Sequence, residues 1–75
     1  MSTLNEDFLT EISKLEAVTF LGLARYFKID LLDAEENPKT FSMLLEEVLK
    51  RFCALNRTQK RQIMRLVKNA NRTEN

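Results

Sequence analysis

Seventy-five residues, 44% hydrophobic and 31% charged, are expected to fold as one small domain and argue against general disorder. One glycine, one proline and an abundance of Leu, Glu, Lys and Arg favour helix over sheet. The net charge of +1 conceals a polarised chain: residues 1–47 carry ten acids against four bases, whereas residues 48–73 carry eight bases and no acid.

A first helix is predicted over about 5–12, because Leu4, Phe8, Ile12 and Leu15 recur at helical spacing along one stripe. Glu6 and Asp7 fall in its first turn, where the helix dipole favours negative charge. Ser13-Lys14-Leu15-Glu16 has the Ser-x-x-Glu form of a capping box and predicts a second helix over about 14–27. That helix is apolar nearly all round, through Leu15, Val18, Phe20, Leu21, Leu23, Ala24 and Phe27, and is therefore expected at the centre of a bundle. Gly22 within it is expected to let another helix approach its bare backbone.

Residues 28–39 form the weakest pattern, acidic and polar and punctuated by Asn37-Pro38, which predicts a mobile surface loop. Ile29, Leu31 and Leu32 just before it are expected to tuck under the helices. Thr40 is placed to cap a third helix over about 41–54, with Phe41, Leu44, Leu45, Val48, Leu49, Phe52 and Leu55 covering a wide apolar face. Glu46 with Lys50 and Glu47 with Arg51 have the acid-first spacing of weak surface pairs. Asn56 as cap and Gln59 three residues on predict a fourth helix over about 57–70, followed by a frayed tail at 71–75. The expected architecture is a single all-α domain, a bundle of four helices with an acidic loop between the second and third.

The fourth helix carries the functional signal. At about 100° per residue, with Arg57 set at zero, Lys68, Arg61, Arg72 and Arg65 fall at about 20°, 40°, 60° and 80°. Lys60 flanks them. Leu66, Ala70, Ile63 and Val67 fall between about 180° and 280° and define an expected buried face opposite the stripe. A solubilising face usually mixes signs, whereas these bases repel one another and receive no acid from their own helix. The stripe of Arg57, Arg61, Arg65, Lys68 and Arg72, with Lys60 assisting from its flank, is therefore the expected binding surface for an acidic partner, with nucleic acid slightly ahead of protein. No aromatic interleaves the stripe, so base stacking on single strands is not expected.

A helix-turn-helix reading of Leu23-Ala24-Arg25-Tyr26-Phe27-Lys28-Ile29 would place Asp33, Glu35 and Glu36 on the recognition segment, against phosphates. Electrostatics oppose it, and the fourth helix is the better DNA candidate. The competing class is self-assembly, a homodimer in which Glu6, Asp7 and Glu11 meet the basic helix of a second copy, with Phe8, Met43 or Met64 at the seam.

Enzymatic chemistry is not expected. The chain has no His and one Cys, which removes the commonest general base and any zinc site. The adjacent acid pairs point about 100° apart on a helix and do not converge. With Gly22 alone there is no glycine-rich phosphate loop, and no cofactor or small-molecule substrate is expected. Cys53 is expected to be a partly buried structural residue, and Met43, Met64 and Tyr26 to finish the core, with an apolar contact patch as the alternative. No apolar run approaches the roughly 20 residues that span a bilayer, so no membrane partner is expected. An acidic N-terminus and a lone thiol point to the cytoplasm.

Overall fold

The chain makes four helices: α1 (Leu4–Ile12), α2 (Ala17–Tyr26), α3 (Phe41–Cys53) and α4 (Arg57–Thr73). They are seen in a computed structural model that describes residues 3–73. The architecture is the expected all-α bundle, and its helices begin and end where local chemistry puts them. Thr3 caps α1 through a capping box: the Glu6 amide donates to Thr3 Oγ1 at 3.1 Å and the Thr3 amide to Glu6 Oε2 at 3.3 Å. Thr40 Oγ1 accepts from the Met43 amide at the start of α3. Asn56 and Gln59 form the reciprocal cap of α4, at 2.8 and 3.2 Å.

The capping box predicted at Ser13 does not form. Ser13 is the C-cap of α1, in right-handed helical conformation, and its hydroxyl turns back to donate to the Thr10 carbonyl at 2.7 Å. A residue in that conformation cannot supply the extended backbone of an N-cap. Helix α2 therefore starts at Ala17 after Glu16, with no side-chain cap. At the other end, α4 does not stop at Ala70. It continues to Thr73, and the half-buried Asn71 donates its amide to both the Glu11 carbonyl (2.9 Å) and Glu11 Oε1 (3.0 Å). Glu74 and Asn75, the rest of the expected frayed tail, lie outside the described residues.

The core forms where α1 packs against both α3 and α4. Phe8 of α1 and Phe52 of α3 are fully buried and stack, ring centroids 3.8 Å apart and planes 4° from parallel. Ile12, Leu44, Val48, Ile63, Met64 and Val67 complete the buried cluster around them. Helix α2 packs on α3 and buries Phe20 and Ala24. It is not the central helix. Val18 is 79% exposed and Leu21 also faces outward, so its apolar circumference exceeds what its neighbours cover. Central burial belongs to the amphipathic α1 and α3, each of which has helices on two sides.

Gly22 has no packing role either. It is exposed, its φ is not positive, and a Cβ built on it meets nothing within 4 Å. The conformation that favours glycine is taken by Lys28, six residues on, and by Glu36 in the following loop. Lys28 has φ 60°, its amide donates to the Arg25 carbonyl and the Ile29 amide to the Ala24 carbonyl. This is a Schellman closure of α2 with a lysine at the left-handed position and buried Ile29 against buried Ala24. Two stability predictions follow from the mismatch. Gly22→Ala should stabilise the fold by about 0.5–1 kcal/mol, because it removes backbone entropy at a helical site with open space. Lys28→Gly should add about 0.5–1 kcal/mol by relieving the left-handed cost of a residue with a Cβ. Urea midpoints of the two variants and of their combination check both, and a lower midpoint for either contradicts it.

The stretch expected to be a mobile loop is tied down. Asp33 Oδ1 accepts from the Glu35 and Asn37 amides, both at 2.9 Å, and the Asp33 amide donates to the Asn37 carbonyl. Leu32 and Pro38 form an isolated antiparallel bridge. Lys39 anchors the far side through Glu47 at 3.0 Å, which takes Glu47 away from its expected partner Arg51. The Glu46–Lys50 pair does form, at 3.6 Å and well exposed, so it contributes little. Of the residues leading into the loop, Ile29 is buried and Leu31 half-buried, whereas Leu32 is exposed.

Candidate functional site

Helix α4 is 17 residues long and carries no acid. Its buried residues, Ile63, Met64 and Val67, lie at about 240°, 340° and 280° on the wheel that has Arg57 at zero. The covered sector is thus rotated from the expected one. Met64 enters the core in place of Leu66, which is 55% exposed. The cause is the seat of α1, which lies against the Met64 side of α4. The basic stripe consequently borders the buried face on the α1 side and does not stand opposite it.

All five stripe residues, Arg57, Arg61, Arg65, Lys68 and Arg72, are exposed, and among the described residues none forms an ion pair. Arg61, Arg65, Lys68 and Arg72 come together along a shallow groove between α1 and α4, with Leu4, Asp7, Met64 and Asn69 as its remaining walls. Asp7 is the acid closest to them in this groove. The other α1 acids are engaged: Glu6 in the N-terminal cap, Glu11 with Lys14 (3.6 Å) and with Asn71.

Lys60 differs from the other five. It is half-buried, its Nζ donates to Asn5 Oδ1 at 3.1 Å, and it sits 5.5 Å from the centroid of the Phe52 ring. The hydrogen bond to Asn5 and the cation–π contact with Phe52 hold it in the fold, so the free set is five residues.

A second row along α4 escapes a reading based on charge alone. Thr58, Gln62, Arg65 and Asn69 are spaced four, three and four apart and all are exposed. They lie at about 80°–140°, next to the basic stripe and away from the core. Hydrogen-bonding residues at helical spacing were the signal that could have found them.

On its other side, α4 meets α2 along an apolar groove lined by Leu15, Leu23, Tyr26, Leu66 and Ala70. Tyr26 is 63% exposed and Met43 is also exposed, so of three residues expected to finish the core only Met64 does. Phe8 and Met64 are buried and unavailable as the seam of the envisaged dimer. Cys53 is exposed, because it follows the buried Phe52 onto the outer side of α3. The segment 31–36 forms a bridged turn and no recognition helix, which removes the helix-turn-helix reading of 23–36.

Among the described residues no three metal-ligating side chains converge, and no helix is long and apolar enough to cross a membrane. Comparison with family models, curated proteins and solved structures finds no match to this chain.

Proposed function

We propose that this protein is a non-enzymatic binding module that holds nucleic acid against helix α4. The observation that carries the reading is five exposed bases on one side of an acid-free helix, without an acidic partner among the described residues. Such a surface gains energy when phosphates replace the mutual repulsion of the bases, and arginine meets phosphate through two parallel hydrogen bonds. The absence of His and the separation of the acid pairs support a module without catalytic chemistry of its own. We place it in the cytoplasm, where an exposed thiol such as Cys53 stays reduced.

The test is fluorescence anisotropy with mixed-sequence duplexes over a range of salt concentrations. Three to five phosphate contacts among these bases predict a log–log slope of roughly −3 to −5. Binding that is weak and flat with salt would refute the reading.

The apolar groove at Tyr26 and Leu66 favours a second reading, a module that binds protein or pairs with its own copy. Light scattering over a protein concentration series separates the two. A stable dimer that hides the stripe would displace the nucleic-acid reading.

A further inference from the structure

We propose that α3, residues 54–56 and α4 form a helix-turn-helix unit that lays α4 into the major groove of duplex DNA. The inference rests on the nucleic-acid reading above and deepens it by naming the form of the ligand.

The connection between α3 and α4 is three residues long, the length this motif uses. It is closed at both ends. The Ala54 amide donates to the Lys50 carbonyl and the Leu55 amide to the Phe52 carbonyl, while Asn56 and Gln59 cap the next helix reciprocally. Leu55 packs against the core and pins the turn from inside. Helix α1 braces the pair, since it packs on both α3 and α4 and stacks Phe8 on Phe52 beside the turn. A recognition helix needs such a rigid mount and a long free face, and both are present.

The face has the composition for reading DNA. In this motif the first turns of the second helix meet base edges. Arg57, Thr58, Arg61 and Gln62 occupy those turns and are exposed. Arginine matches the acceptor pair of guanine and glutamine the donor–acceptor pair of adenine. Arg65, Lys68 and Arg72 continue along the flank that faces α1, in position to follow one phosphate backbone. A helix about 10–12 Å across fits a B-form major groove about 12 Å wide. The A-form groove of duplex RNA is too deep and narrow for it. Asp7 stands at the edge of that flank, and Glu46 and Glu47 of α3 are held by Lys50 and Lys39. One carboxylate against five free bases leaves the face cationic.

The experiment selects from a pool of randomised DNA duplexes with the intact protein, then compares the enriched duplex with an RNA duplex of the same sequence. The expected result is an enriched sequence bound at least about tenfold tighter than the RNA form. Gln62→Ala should weaken the enriched duplex about tenfold, narrow its advantage over random duplexes and leave the salt slope unchanged. Salt-dependent binding with no enriched sequence and equal affinity for DNA and RNA would overturn the helix-turn-helix inference alone. Failure of the folded protein to bind any nucleic acid would overturn the underlying reading as well. The DNA-versus-RNA comparison uses the unmodified chain, so it decides the inference whatever the variant does to folding.

Discussion

Phe52→Ala is expected to remove the cooperative thermal transition of the domain. Phe52 is fully buried, stacks on the equally buried Phe8 at 3.8 Å, and supports the Lys60 side chain on its ring. Truncating a buried phenylalanine costs about 3–5 kcal/mol, part in lost transfer energy and part in the cavity left behind. A domain of 75 residues has total stability on the order of 5 kcal/mol. The two magnitudes are comparable, so the variant should show a broad melt or none by circular dichroism. The cavity would open between α1 and α3, where the Phe8 ring would lose its stacking partner. Phe41→Ala is the matched control. Phe41 is 55% exposed and meets only the edge of the core through Phe20, at 4.8 Å between ring centroids. Its loss should cost about 1 kcal/mol and keep a sharp transition. A Phe52→Ala protein that melts within a few degrees of the parent would show that the Phe8–Phe52 stack does not organise the core.

Reversing Arg61 and Arg65 together, to glutamate, is expected to weaken nucleic-acid binding on the order of 100-fold at low salt and to reduce the salt slope by about one to two. Both residues are exposed, line the α1–α4 groove and lack ion pairs among the described residues. The pair removes one phosphate contact at Arg65 and one base-edge contact at Arg61, and each glutamate adds a repulsive charge beside the duplex. The same freedom from partners predicts a melting temperature within a few degrees of the parent, because exposed substitutions without partners change stability by about 0.5 kcal/mol or less. Loss of the fold in this variant would assign the two arginines a structural role. Unchanged binding with the fold intact would move the partner surface away from α4.

The elements differ in how much of them was legible along the chain. Helices α1 and α3 each show one clear stripe, and their buried residues Phe8, Ile12, Leu44, Val48 and Phe52 are those the period of the helix picks out. Caps at Thr40 and Asn56 were legible because a cap is a local hydrogen bond between residues three apart. The start of α2 was misplaced for the same local reason. Ser-x-x-Glu describes a cap that Ser13 could make, but the end of α1 had already claimed its backbone.

The candidate site was half legible. Its bases and their helical spacing follow from the chain alone. Their surroundings do not. The apolar arc of α4 runs from Leu66 at about 180° to Met64 at about 340°, and no neighbouring helix can cover all of it. Lys60 sits within that arc and looked like a sixth stripe member until the fold placed it over Phe52. The three-residue turn at 54–56 gains meaning only when α1 is seen to brace both helices that flank it.

By itself, then, the sequence determined an all-α bundle, the caps of α3 and α4, the inward stripes of α1 and α3, and a basic acid-free last helix. These depend on interactions within a few residues and on the fixed period of the helix. Only the tertiary structure decided that α2 is peripheral, that Met64 is buried and Leu66 exposed, and that Gly22 packs against nothing. It also decided that Lys60, expected to assist the five-residue stripe, is held over Phe52 instead. A residue's burial is set by which neighbours the rest of the chain brings to it, and a helix with more apolar surface than its neighbours cover cannot announce which part will be left outside.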